Sequence, residues 1–261
     1  MNIRSKFNKY WRSFIHSVYP WHCKVCAKRC ESSAEQGICE LCQPKLPYCE
    51  QKCEQKCEQM CDRCGAPLST VSLSTHTICG QCLSQPPFYD HVYAAFWYRE
   101  PIDQLISELK YQKRWENLSC LMSLFTQCCP SIPNQAQILG MPSHPRRVRE
   151  RGFNVINQCV RAWHSEHLFD YSLTTLARTR YTPTQTAKKR DQRRRNVRNV
   201  FAVRKALKSD HIILFDDVMT TGASANECAK VLKQAGAKHV QVWCLARAHS
   251  DWKMCLKQPQ S

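Results

Sequence analysis

Two adjacent carboxylates, Asp216 and Asp217, follow the apolar run Ile212 to Phe215 and precede Thr220-Thr221-Gly222-Ala223-Ser224. Four consecutive apolar residues read as a buried parallel strand. Ala225 to Ala235, stopped by Gly236, reads as a helix. The hydroxyl-rich loop then lies between the C-terminal end of a strand and the N-terminus of a helix. Backbone N–H groups at such a place hold a phosphate, and the acids accept hydrogen bonds from vicinal sugar hydroxyls. Ligands of open α/β sheets bind at this end of the strands. The chemistry is that of a sugar-phosphate site. The plainer reading is a strand–turn–helix with a polar cap at Thr221.

The second set of reactive residues is cysteine. Cys23-x2-Cys26 and Cys39-x2-Cys42 are separated by twelve residues, and Cys61-x2-Cys64 and Cys79-x2-Cys82 by fourteen. Two close thiol pairs converge on one tetrahedral zinc, and four thiolates leave no open position, so both sites would be structural. Spacing does not fix which pairs share a metal. His22, Cys30 and His76 are substitute ligands of lower weight. Gly65 and Gly80 stand where tight knuckle turns call for glycine. Cys49, Cys53 and Cys57 recur every four residues up to Cys61. On a helix they would lie along a line, which fits a repeat expansion in a linker better than a third metal site.

The third feature is charge. The 261 residues carry 38 Lys and Arg against 21 Asp and Glu, a net charge of +17. From His144 to Asp210 there are 17 basic and 5 acidic residues. A polyanionic partner follows: nucleic acid, an anionic membrane surface or a phosphorylated substrate. Arg146, Arg147 and Arg151 form one cluster, and Lys188, Lys189, Arg190, Arg193, Arg194 and Arg195 a second, the natural candidate for a mobile flap. Phe153, Tyr181 and Phe201 are interleaved and could stack on bases or belong to the core.

These groups need a scaffold. Val92 to Tyr98 reads as a strand, and Ile102 to Leu109 as a helix ending near Lys110-Tyr111. Leu118 to Cys129 is a second helix. Ile138 to Met141 is a strand running into Pro142-Ser143-His144-Pro145, a second place for ligand contact, and Ser172 to Leu176 is strand-like. The expected architecture is α/β, a parallel sheet with helices on both faces, preceded by zinc ribbons. The expected organisation is an amphipathic helix over 1–20, a double zinc ribbon over 21–87, the α/β domain over 88–250 and a tail over 251–261. Phe7, Tyr10, Trp11, Phe14, Ile15 and Val18 give the first segment its apolar stripe, read as docking on a neighbouring domain rather than on a membrane. No apolar run of membrane-spanning length and no secretory signal is present. A cytoplasmic protein with reduced thiols is expected.

The Asp216–Ser224 stretch resembles the PRPP-binding signature of type I phosphoribosyltransferases. With the cysteine knuckles, with Pro142-x2-Pro145 leading to Arg151-Gly152-Phe153-Asn154, and with Arg178-x-Arg180-x-Thr182-x2-Gln185 followed by Arg194-x-Asn196-Val197 and Phe201, the chain resembles the ComF family of competence-associated proteins along nearly its whole length. Two departures stand out: Val155 where the family usually has Gln, and Asn199-Val200 where it usually has Gly-Ala. The resemblance implies a type I phosphoribosyltransferase-like domain with a zinc-ribbon N-terminus. It also implies a late cytoplasmic step in handling incoming single-stranded DNA during natural transformation, beside other DNA-uptake proteins at the inner membrane.

By the same resemblance, Asp216 and Asp217 bind the ribose hydroxyls and face the reacting ribosyl centre. Thr220, Thr221, Gly222, Ala223 and Ser224 cradle the 5′-phosphate, and Mg²⁺ accompanies PRPP. Arg146, Arg147, Arg151 and the 188–195 run neutralise pyrophosphate or nucleic acid. No residue set specifies a nucleobase, so a salvage phosphoribosyltransferase and a non-catalytic PRPP-sensing regulator stand as alternatives.

Overall fold

The computed structural model describes residues 22–30, 37–49, 60–68, 78–180 and 199–248. The expected helix over 1–20, the repeat cysteines Cys53 and Cys57, His76, the 188–195 basic run and the tail lie outside them. Among the described residues, five strands form one parallel sheet in the order β1-β7-β6-β2-β3. They are β1 (His91–Trp97), β2 (Gln137–Gly140), β3 (Asp170–Ser172), β6 (His211–Met219) and β7 (His239–Arg247). A separate antiparallel pair joins β4 (Leu176–Arg178) to β5 (Phe201–Val203).

Strand composition explains the sheet. Ile212 to Phe215 and Val240, Val242 and Cys244 are fully buried, as central strands covered on both faces must be. One face is covered by α2 (Ile102–Ser107), α3 (Glu116–Cys128) and α5 (Val155–Glu166), with Trp163 against Phe215, Phe125 and Trp243. The other is covered by α6 (Ala223–Gln234) through Ala225, Cys228, Ala229 and Leu232. Truncating Trp163 to Ala would cost about 3–5 kcal/mol. Helices thus lie on both faces, as expected.

The segment Arg151-Gly152-Phe153-Asn154 is a helix-to-helix corner. Arg151 ends α4 (Pro145–Arg151). Gly152, at φ 87°, closes it by donating its N–H to the Val148 carbonyl at 2.7 Å. Asn154 Oδ1 then accepts from the N–H groups of Ile156 and Asn157, capping α5. The departure at Val155 places a buried apolar residue at the start of α5.

Three local expectations are corrected. Ser172 to Leu176 is not one strand. Ser172 Oγ accepts from the N–H groups of Thr174 and Thr175, and the chain bends there. Strand β3 thereby joins the large sheet and β4 pairs with β5. Strand β6 does not stop before the acids: it runs through them to Met219, because β7 keeps pairing as far as Met219 with Arg247. Gly80 needs no glycine geometry. It opens the short helix α1 (Gly80–Ser84), and a Cβ there would meet nothing within 4 Å. The knuckle residue equivalent to Gly65 (φ 63°) is Ala27, held at φ 56°.

The cysteine-rich region is not free-standing. Cys23, Ile38 and Leu46 share a core with Phe96 and Cys120. Tyr48 pairs as an antiparallel bridge with Phe96, with Trp97 N–H donating to the Pro47 carbonyl at 2.7 Å and Cys49 N–H to the Ala95 carbonyl at 3.0 Å. Cys49 itself is buried against the opposite face of the sheet. Among the described residues no helix is long and apolar enough to cross a membrane.

Candidate functional site: an acid pair, a phosphate-sized loop and two thiol clusters

The sheet changes direction between β2 and β6, since β2 continues to β3 on one side and β6 to β7 on the other. The carboxyl ends at such a switch point frame a ligand crevice. Asp216 and Asp217 stand on β6 there, half-buried, and the Asp217 N–H donates to Asp216 Oδ1 at 2.9 Å. The Met141–His144 segment leaves β2 beside them, with the Met141 N–H bonded to the Phe215 carbonyl at 2.8 Å.

The loop follows Met219. Thr220 is exposed, Thr221, Ala223 and Ser224 are half-buried, and Thr221 Oγ1 accepts from the Ala223 N–H at 3.4 Å. Gly222 caps α6 at φ 73°. A Cβ there would lie 2.7 Å from Met219 Cε and 2.9 Å from the Tyr89 hydroxyl, so only glycine fits. The first N–H groups of α6 face the acid-pair end of the sheet without intrahelical partners. Acceptors for a diol and donors for an anion therefore stand side by side.

A cation missed in the sequence completes the acid pair. Lys110 Nζ lies 2.7 Å from Asp217 Oδ1. It sits on a π-helical turn, Glu108–Gln112, that continues α2 and ends at Lys113 in the left-handed region. Such turns re-aim side chains at functional sites. Burial works against the ammonium, but the carboxylates of Asp217 and Asp216 outweigh it and raise the Lys110 pKa. Among the described residues, Asp216 has no such cation at contact. Burial, reinforced by the negative charge of Asp217, pushes it up to about 7. One acid is engaged in an ion pair, and its neighbour Asp216 is poised to exchange a proton near neutrality. The local signal was a lysine at the margin of the apolar face formed by Ile102, Leu105, Ile106 and Leu109.

Of the basic residues, Arg146, Arg147 and Arg151 lie on α4 and Arg178 on β4. Arg146 is exposed and paired with Glu150 at 2.9 Å. His144 Nδ1 caps α4 by accepting from the Arg146 N–H. Arg178 lies 5.3 Å from the centre of the Phe201 ring and faces the positive charge of Arg147, so β4 and β5 bring the start of the second basic segment to the first. Asn199, where the family usually has Gly, sits at φ 55°, and its N–H donates to Glu227 Oε1 at 2.8 Å. Asn is among the residues that tolerate this region, so the departure preserves the backbone. Arg151 lies 5.6 Å from the centre of the Tyr111 ring, and Trp115 packs on Phe153 at 4.4 Å. Tyr111 is 74% and Trp115 43% exposed, and both follow closely on Lys110.

The thiols assemble as Cys23, Cys26, Cys39 and Cys42, and as Cys61, Cys64, Cys79 and Cys82, with each set's sulfurs within 4.8 Å of one another. This removes the crossed pairing left open by the spacing. His22 and Cys30 belong to neither set. The donor chemistry fits a structural metal ion such as zinc. The Cys39 N–H points at Cys23 Sγ (3.4 Å) and the Cys79 N–H at Cys61 Sγ (3.3 Å). The Cys64 thiol and backbone N–H groups, that of Cys79 among them, pull Cys61 down to about 4 against its burial. Burial works the other way at Cys42 and Cys82, pushing both up to about 12, so a metal that takes all four thiolates of a set must displace protons.

Comparison with known proteins follows this geometry. The chain is 31% identical to the DNA utilization protein YhgH of Escherichia coli O157:H7 over 221 residues, covering 81% of this chain and 90% of that protein. The chain belongs to the ComF family. Other relatives agree: Competence protein F of Haemophilus influenzae is 29% identical over 231 residues (82% and 92% of the two chains), and Competence protein ComFC of Streptococcus pneumoniae is 27% identical over 154 residues (59% and 67%). A comparison with protein-family profiles gives no match. In this ComF chain the acid pair stands on β6 and the loop joins β6 to α6. The cysteine clusters lie against both faces of the same sheet.

Proposed function

We propose that this ComF protein binds PRPP at the β6–α6 loop and acts on single-stranded DNA in the cytoplasm during DNA uptake, alongside uptake proteins of the inner membrane. The observation that carries the reading is the acid pair Asp216–Asp217 on the same strand end as the Thr220–Ser224 loop at the α6 N-terminus. Loop N–H groups and hydroxyls take the 5′-phosphate. Asp217, held by Lys110, and Asp216 accept the ribose hydroxyls. Mg²⁺ carried in with PRPP would supply positive charge near Asp216 and Asp217. Zinc fills the two thiol clusters.

The name of the Escherichia coli relative, DNA utilization protein, supports DNA as the larger partner. A basic and aromatic rim supports it too: Arg146, Arg147 and Arg151 supply phosphate contacts, and exposed Tyr111 and Trp115 supply flat faces for unpaired bases. The 188–195 run would extend this surface. If turnover occurs, Asp216 and Asp217 face the positive charge that develops on the ribosyl carbon as pyrophosphate leaves. The test is pyrophosphate release from PRPP with and without single-stranded DNA, paired with calorimetric titration of PRPP and Mg²⁺. Turnover with free nucleobases would favour a salvage enzyme. Binding of PRPP and DNA without release would favour a regulator. Absence of heat at millimolar PRPP would overturn the PRPP assignment.

A further inference from the structure

The two thiol clusters contact different parts of the molecule. The first packs on the α3 side: Gly37 faces Cys120, and Lys24 pairs with Glu116 at 3.6 Å. The second packs on the α6 side, with Met60 and Cys64 against that core. There it meets Arg247, the last residue of β7 and 2% exposed. Arg247 Nε donates to the Cys64 carbonyl at 3.1 Å. The same guanidinium donates through Nη1 to the carbonyls of Met219 (3.0 Å), Thr220 and Ala248 (2.6 Å). One buried cation thus joins a metal-binding knuckle to Met219, the last residue of β6, and Thr220, the first of the phosphate loop. Tyr89, 4% exposed and part of the core on which Met60 and Cys64 pack, places its hydroxyl against Gly222.

We infer that metal at Cys61, Cys64, Cys79 and Cys82 holds the phosphate loop in its binding shape through Arg247, whereas metal at the first cluster does not. Arg247 is a positioning residue. A guanidinium in a buried place is tolerated only when its N–H groups are bonded, and here carbonyls from three segments converge on it. A bound divalent ion with four thiolates fixes the Cys61–Gly65 knuckle, whose turn is closed by Gly65 N–H to the Cys61 carbonyl at 2.8 Å. It also places net negative charge beside the cation. Without metal the crowded sulfurs separate or protonate, the Cys64 carbonyl shifts, and Arg247 re-aims. The Met219 and Thr220 carbonyls move with it, and with them the N–H groups of residues 221–224. That the loop's ligand is a phosphate rests on the function proposed above; the coupling of knuckle to loop does not.

The experiment compares full-length wild type with Cys39→Ser, Cys79→Ser and Arg247→Lys. Metal per chain, hydrogen exchange of residues 217–226 and affinity for ribose 5-phosphate are measured on each. Cys79→Ser should lose one metal, exchange faster in the loop, and bind at least tenfold more weakly, the effect of about one charge-assisted hydrogen bond. Cys39→Ser should lose one metal and leave loop exchange unchanged. Arg247→Lys keeps the charge but not the fork, so it should loosen the loop with both metals retained. Unchanged loop exchange in Arg247→Lys would overturn the coupling, and so would equal loosening by Cys39→Ser. If Cys79→Ser fails to fold, Arg247→Lys against Cys39→Ser decides. A wild type that ignores ribose 5-phosphate would remove the phosphate reading, while the exchange data would still decide the coupling.

Discussion

Lys110 Nζ lies 2.7 Å from Asp217 Oδ1, at the end of a helix whose last turn is widened to π geometry. Removing one partner of such a shielded pair leaves a charge without compensation, at about 3–5 kcal/mol for a fully buried case. Lys110→Met should therefore lower stability by about 2–3 kcal/mol, since both side chains keep some exposure. Adding Asp217→Asn should recover part of the loss. Urea unfolding of the four proteins of this double-mutant cycle measures it; simple additivity would show that the pair is not coupled.

The poise of Asp216 gives a pH dependence. Its folded pKa is about 7, above the unfolded value of about 3.9. Between these values the folded protein holds a proton that the unfolded chain has released. Stability without ligand should fall as pH rises from about 4 to 7 and then level off. Binding of a ribose diol uses the ionised acid, so titration below pH 7 should release up to one proton, seen as a buffer-dependent enthalpy. Asp216→Asn should flatten both effects.

Gly222 is constrained from two sides. Gly222→Ala must place its Cβ against Met219 and Tyr89 at positive φ, costing about 1–3 kcal/mol and weakening ribose 5-phosphate binding. Tyr89→Phe removes the hydroxyl, one of the two atoms in the way, and should restore part of the stability. Thermal melts of the single and double variants decide whether the phenol is the obstruction.

Exposed Tyr111 tests the DNA-binding rim. Base stacking is worth about 1–3 kcal/mol per aromatic residue, so Tyr111→Ala should weaken single-stranded DNA roughly five- to hundredfold, and Tyr111→Phe should not. Arg193, Arg194 and Arg195 changed together to Ala should instead flatten the salt dependence, whose log–log slope is about −0.7 per neutralised phosphate. Anisotropy titrations across salt concentrations separate the two effects. Salt-independent binding by wild type would exclude both.

Metal analysis of freshly purified protein should find about two zinc ions per chain. Ala27, strained at φ 56°, offers a mild control: Ala27→Gly should raise stability by about 1 kcal/mol with metal content unchanged. A calorimetric melt shows whether it does.

The acid pair and loop were legible because they are contiguous, and a strand, two acids and a small-residue turn carry their geometry locally. The cysteine sets were legible for the same reason, apart from their pairing. Lys110, Tyr89 and Arg247 were not, because each is defined by a partner far along the chain. Nothing around Arg247 in Leu245-Ala246-Arg247-Ala248 says that four carbonyls will surround it. The break of Ser172–Leu176 into two strands was hidden in a side chain: Ser172 bonds its own downstream backbone, which an apolar pattern does not report.

Strand β1 is an outer strand of the sheet, and an outer strand is a template on which another chain can pair. In this protein residues 47–49, leaving the first thiol cluster, occupy part of that template at Ala95, Phe96 and Trp97. A metal ion in that cluster would thus guard solubility as well as shape. Without it, copies that still fold their central strands would pair with one another along β1, and the loss would register as concentration-dependent assembly before any loss of secondary structure.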